Sequence, residues 1–202
     1  MRILAATNNA HKLTELRAIL APHGITVLGL HEAGVTLEVE EDGETFAANA
    51  IKKAHAGAAA AGLPVLADDS GLEVAALGGA PGVRSARYAG GGAGGAGDAA
   101  NLRKLLTEMR DVADRRARFV CVIAVAAPGG RLLGTAEGEV RGQLCRAPRG
   151  HGGFGYDPAF IPDGFAETFA ELPAATKNRL SHRANALRAA LAAGLFATLP
   201  RG

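Results

Sequence analysis

The sequence predicts an α/β fold, on three observations: a strand, helix and strand within the first thirty residues, apolar strand-like segments recurring later, and helical patterns between them. Arg2 to Thr7 reads as the first strand. Asn8-Asn9-Ala10 leads into a helix with Leu13, Leu16, Ile19 and Leu20 on one face; Gly24 stops it and Thr26 to Leu28 returns as a strand. Val35, Leu37 and Val39 alternate with Thr36, Glu38 and Glu40, the pattern of a half-buried strand with an acidic outer face. A helix is expected from Thr45 to Ala61, ended by Gly62 and Pro64, and then a brief buried strand, Val65 to Ala67, running into Asp68-Asp69-Ser70-Gly71. Glycine dominates from Gly78 to Gly97, and Tyr88 to Gly97 is expected to be a mobile loop, because so many glycines cost too much backbone entropy to hold a regular element. A helix from Asp98 to Met109 follows. The strands Ala117 to Ala127 and Arg131 to Val140 are joined by the turn Pro128-Gly129-Gly130, and Gly150 to Pro158 is a loop. Ser181 caps a last helix with Ala184, Leu187, Leu191 and Leu195 on one side. No repeat and no linker divides the chain, so residues 1–202 are expected to form one domain.

Composition narrows the function. A chain of 202 residues buries about 70% of its unfolded surface and needs no disulfide or structural metal, in keeping with only two cysteines, Cys121 and Cys145. A net charge of +2 provides no field for gripping nucleic acid without sequence preference, so no nucleic-acid partner is expected. The longest wholly apolar run, Phe119 to Ala127, is nine residues, against the ~20 of a membrane helix. The opening Met1 to Ala6 is too short for a signal-peptide core. A soluble, cytoplasmic protein without a membrane partner is expected, and 48% hydrophobic against 21% charged residues marks a globular chain.

Several clusters could carry chemistry. Lys12 lies in the first turn of its helix, where a cation has the wrong sign for the helix dipole. An anion held between Thr7, the Asn8-Asn9 backbone and Lys12 would reverse that penalty; a solvated surface lysine is the alternative. The same anomaly recurs at His182 and Arg183 after Ser181, with Lys177 and Arg179 just before, and two cationic helix starts suggest a shared polyanion such as a triphosphate. Asp68 and Asp69 stand at the end of a buried strand, where α/β sheets place ligands, and Glu40 lies on an acidic strand face. Gathered carboxylates repel, by about 4 kcal/mol for a like pair ~4 Å apart, unless a cation or proton relieves them. Oxygen donors beside a phosphate suit Mg²⁺ rather than zinc. An Asx turn and a solvated acidic rim are the plainer readings. Lys53 follows Asn49 by one helical turn, so both can face one side. In Gly152-Gly153-Phe154-Gly155-Tyr156-Asp157-Pro158 two rings stand among glycines, placed either to stack on a base or to plug the core under a turn.

As a set, Thr7-Asn8-Asn9-Ala10-His11-Lys12, Asp68-Asp69-Ser70-Gly71-Leu72, Gly78 to Tyr88, Gly153-Phe154-Gly155-Tyr156-Asp157-Pro158 and Ser181-His182-Arg183 resemble the inosine triphosphate pyrophosphatase family. The blocks occur in order over almost the whole chain. The resemblance implies a mixed, twisted sheet flanked by helices, with two lobes around a central cleft, and usually a homodimer. It implies Mg²⁺-dependent hydrolysis of ITP, dITP or XTP to the monophosphate and pyrophosphate. By motif, Thr7, Asn8, Asn9, Ala10, His11 and Lys12 would hold the phosphates with Lys53, and Asp69 would be the general base. Glu40, Asp68 and Asp69 would hold magnesium and Ser70 would touch substrate. Phe154, Gly155, Tyr156 and Asp157 would surround the base, with Lys177, His182 and Arg183 completing its pocket. Two rivals are a Maf-like pyrophosphatase acting on modified pyrimidines or methylated guanines, against which the Phe154 to Asp157 and Ser181-His182-Arg183 blocks argue, and a non-catalytic nucleotide-binding module.

Overall fold

Ile3, Leu4 and Ala5 are all fully buried, the signature of a strand packed on both faces and paired on both edges. In the computed structural model, which describes residues 1–91 and 96–199, this strand, β1 (Arg2–Ala5), runs parallel to β2 (Thr26–Leu28) on one side and to β3 (Val65–Val74) on the other, with Leu4 opposite Val65 and Ala5 opposite Leu66. β4 (Arg116–Ala126), β5 (Leu132–Leu144) and β6 (Phe160–Pro162) complete a six-stranded sheet in the order β2-β1-β3-β4-β5-β6, with β6 antiparallel to β5. The helices are α1 (Ala10–Leu20), α2 (Phe46–Ala61), α3 (Asp98–Glu108), α4 (Ala174–Leu180) and α5 (His182–Ala192). The class is mixed α/β. None of the helices is long and apolar enough to cross a membrane, among the described residues.

The chain divides into two compact units, one of residues 1–69, 121–138 and 183–202 and the other of 70–120 and 139–182. In the first, Leu16 and Leu20 of α1, Cys121, Ile123 and Val125 of β4, and Ala186, Leu187 and Ala190 of α5 share a core with β1 and β2. Cys121 is inert packing, its thiol pushed up to about 12 by burial and the charge of Asp68. In the second unit, Leu72, Leu105, Phe119, Tyr156, Phe160 and Phe169 form the core, with the Phe119 and Phe160 rings edge to face at 4.8 Å. Gly142 is obligatory there because a Cβ would stand 2.2 Å from the Ile161 carbonyl oxygen of β6. Gly142→Ala is expected to cost about 1–3 kcal/mol, read as a lower urea midpoint.

Two expectations are corrected. Val35, Leu37 and Val39 are half-buried, but residues 35–40 form no strand; the Val35 amide bonds back to the Leu30 carbonyl and the Leu37 carbonyl accepts from the Asn8 side chain, so the alternation reflects packing rather than a ladder. β3 does not end at Ala67 but continues through Asp68 and Asp69 to Val74, because both carboxylates find partners in the fold. Ser181, the residue expected to cap the last helix, directly precedes α5 and also closes α4, donating its amide to the Lys177 carbonyl. Within the glycine-rich stretch, Gly82–Arg87 form a 3₁₀ helix braced by Asn101, which accepts from the Ala89 amide and donates to the Ala86 carbonyl. Of the loop expected over Tyr88 to Gly97, residues 92–95 lie outside the described residues.

Candidate active site

In the first unit the chemistry gathers on Asp68 and Asp69. Val65, Leu66 and Ala67 before them and Leu72 after are apolar and buried, so β3 carries the two carboxylates, 1% and 5% exposed, into the interior. Such burial is tolerable only if each is paired. Asp68 Oδ2 accepts from Lys12 Nζ at 3.1 Å and from Arg183 Nη2 at 2.9 Å and Nε at 3.2 Å. Burial alone would raise the Asp68 pKa; the charges of Lys12, Arg183 and Lys53 outweigh it and hold the carboxyl well below the usual range. Asp69 is held differently, Oδ1 by Lys53 Nζ at 3.2 Å and Oδ2 by Asn49 Nδ2 at 3.1 Å. There burial dominates, Lys53 and Lys12 offset it only in part, and the Asp69 pKa is raised. Lys53 stays protonated, because Asp69, Asp68 and Glu41 together overcome the effect of its own burial.

Local sequence explains the placement. Thr45 caps α2, accepting from the Ala48 amide, and the one-turn spacing of Asn49 and Lys53 puts both on its buried face. Asn9 caps α1, its Oδ1 accepting from the His11 and Lys12 amides at 2.9 and 3.1 Å, and Thr7 Oγ1 accepts from the Asn9 amide. Two amides of this helix start are thus satisfied by its own cap, and the cations at the starts of α1 and α5, Lys12 and Arg183, both meet Asp68. Asn8, Asn9, Ala10 and His11 are exposed and Thr7 is half-buried, while the Lys12 side chain keeps 16% of its surface open. Glu41, not Glu40, reaches the cluster, its Oε1 standing 2.6 Å from Lys53 Nζ; Glu40 is exposed.

One residue of this network escaped the sequence reading. Glu15, on the buried face of α1, pairs with Arg183 Nη1, so a wholly buried guanidinium is clasped between Glu15 and Asp68. The signal was available, since a glutamate beside Leu16 and one turn from Lys12 calls for a cationic partner.

In the second unit other sequence-predicted residues come together. Asp157 Oδ2 accepts from the Phe154 amide at 2.8 Å and from Lys177 Nζ at 2.6 Å, and Lys177 lies 4.8 Å from the centre of the Phe154 ring. Gly153, at φ +70°, is irreplaceable because a Cβ would sit 2.1 Å from Asp157 Oδ2. Tyr156 takes the core reading: it is 4% exposed and its hydroxyl donates to the Ser85 carbonyl at 2.8 Å. Phe154 and Gly155 remain half-buried. His182 stacks on Phe119 at 4.8 Å with the planes 13° apart. Ser70, half-buried, follows Asp69 in β3.

The donor set can be tested against a divalent cation. Asp68 Oδ1 is buried and makes no hydrogen bond among the described residues, so one lone-pair site of a charged carboxylate is left open. Among the described residues no three His, Cys, Asp or Glu side chains stand together as a metal cage. One or two carboxylates with an open oxygen is nevertheless the set that suits Mg²⁺, which takes its remaining ligands from water and substrate phosphates.

Fold and site together define an α/β protein with a buried carboxylate pair, one member held as an anion by Lys12 and Arg183 and the other with its pKa raised by burial. The Ham1 family profile matches residues 3–193, and the chain belongs to that family. It is 51% identical over 193 residues to the dITP/XTP pyrophosphatase of Desulforamulus reducens, covering 95% of this chain and 94% of that protein. It is 48% identical over 187 residues to the dITP/XTP pyrophosphatase of Bacillus subtilis, covering 92% of each. Among solved structures, a HAM1 protein from Coxiella burnetii matches 98% of this chain and 100% of its own with a TM-score of 0.84 at 41% identity. The Staphylococcus aureus Ham1 protein matches 96% and 99% with a TM-score of 0.81 at 41% identity.

Proposed function

We propose that the protein hydrolyses the non-standard purine nucleoside triphosphates ITP, dITP and XTP to the monophosphate and pyrophosphate, removing them from the nucleotide pool. The observation that carries this is the opposite tuning of two adjacent carboxylates. Asp68 is fixed as an anion by Lys12 and Arg183, whereas burial raises Asp69 toward the range where a base works, and a pair pushed apart in this way marks the acid–base assignment. The names of the relatives, dITP/XTP pyrophosphatase, support the substrate class.

In this reading Asp69 accepts a proton from the water that attacks the α-phosphorus, with Lys53 and Asn49 fixing its two oxygens. Lys12, with the exposed backbone from Thr7 to His11, receives the triphosphate, and Lys53 adds positive charge beside it. Asp68 and Asp69, with Glu40 or its neighbour Glu41, would hold Mg²⁺, which when bound neutralises phosphate oxygens. Ser70 contacts substrate, and Phe154, Gly155, Asp157, Lys177 and His182 take the purine. Tyr156 acts from the core by holding that loop. Arg183 acts through Asp68 instead of meeting the purine directly. Donors facing the purine 6-position accept a keto oxygen but oppose an amino group, which disfavours ATP. We further propose a cytoplasmic homodimer that makes no use of nucleic acid, as the family resemblance and the small net charge support.

A panel of ITP, dITP, XTP, GTP, ATP and modified pyrimidine triphosphates, assayed for pyrophosphate with and without Mg²⁺, tests the reading. The expected result is release from ITP, dITP and XTP only, abolished by EDTA. Preference for the pyrimidines would indicate a Maf-like specificity, and binding of ITP without product a non-catalytic module.

A further inference from the structure

We propose that Asp98 is a positioning residue, holding the Phe154 to Asp157 loop in the conformation that receives the purine; this rests on the purine role given above to that loop.

Beside the Asp157 amide's bond to the Phe154 carbonyl, three polar ties bear on the shape of the loop. Two are buried and local to residues already discussed: Asp157 with the Phe154 amide and Lys177, and the Tyr156 hydroxyl on the Ser85 carbonyl. Ser85 itself is fixed, since its Oγ accepts from the Leu72 amide at 2.9 Å and donates to the Gly82 carbonyl at 2.6 Å. The third comes from 57 residues earlier in the chain, where Asp98 Oδ2 accepts from the Gly155 amide at 2.7 Å.

This third tie holds the weakest point of the loop. Gly155 has φ +61°, a conformation glycine adopts freely and therefore leaves freely. Its amide is the one that an outside acceptor must fix, because its neighbours are held by a buried ring on one side and by Lys177 beneath Phe154 on the other. The carboxylate is suited to the task. It stands in the first turn of α3, where the helix dipole favours an anion, and the α3 cap, Gly97, has no side chain to compete for it. A charged acceptor makes the shorter, stronger kind of amide hydrogen bond. Ordering a loop before substrate arrives removes a cost otherwise taken from binding energy, so loss of the tie should appear in KM rather than in kcat.

The test compares wild type with Asp98→Ala and Asp98→Asn. For Asp98→Ala the KM for ITP is expected to rise about fivefold, as for one partly solvated charged hydrogen bond, with kcat changed by less than about twofold. Inhibition by inorganic tripolyphosphate, which has no base, is expected to be unaltered, and hydrogen exchange at Gly155 faster. Asp98→Asn retains an acceptor oxygen and is expected to restore most of both effects. An unchanged KM in Asp98→Ala, or equal weakening of ITP and tripolyphosphate, would overturn the inference. Wild-type protein that fails to hydrolyse ITP would instead overturn the functional reading and this role with it.

Discussion

Asp69→Asn is expected to lower kcat by at least about 100-fold, the scale of a lost general base. The amide has nearly the same volume, and Lys53 keeps Glu41 as a partner, so the thermal midpoint should move by no more than about 4 °C. Stopped turnover in a folded protein separates this outcome from a structural defect. The pH profile gives a second reading. A base works deprotonated, so the wild-type rate must fall on the acid side as Asp69 takes up a proton. Because burial raises its pKa, that fall begins at higher pH than for an ordinary carboxylate. The residual activity of Asp69→Asn should lack that limb. A rate within about tenfold of wild type would remove Asp69 from the role.

The second large effect is on stability. Arg183 has no exposed surface, and Asp68 and Glu15 both lie against it. Arg183→Met removes the guanidinium between two buried carboxylates, although Asp68 keeps Lys12, for an expected loss of about 3 kcal/mol in urea unfolding at neutral pH. The sign of the pH dependence follows from Asp68, whose folded pKa is depressed in the wild type. Its stabilising contribution is complete above the unfolded value and lost only in strongly acid solution. In the variant Asp68, without the guanidinium, protonates more readily, so the stability gap should narrow as the pH falls. A gap that is constant with pH would mean that packing, not charge, accounts for Arg183.

Periodicity carried the frame of this fold. β1, β4 and the core face of α1 could be read because continuous apolar runs and 3.6-residue spacing report burial directly. Val35 to Val39 failed because alternation reports which side chains are buried and not whether the backbone pairs. β3 was cut short because aspartates oppose a strand locally, while Lys12, Lys53, Asn49 and Arg183, none of them near it in sequence, make it possible. The same distance hid Glu15 and the anchoring of Tyr156 on Ser85. In the site, residue types were legible but partners were not. Lys12 and Arg183 stand out in the sequence as cations at helix starts, yet the acid that pairs with them lies 56 residues from one and 115 from the other.

Asp69 acting as the base requires that water attack the α-phosphorus. Hydrolysis of ITP in water enriched in ¹⁸O, with the products separated and weighed by mass spectrometry, tests this most directly. Label in the monophosphate and none in the pyrophosphate is the predicted result; label in pyrophosphate, or release of inorganic phosphate and a diphosphate, would contradict it.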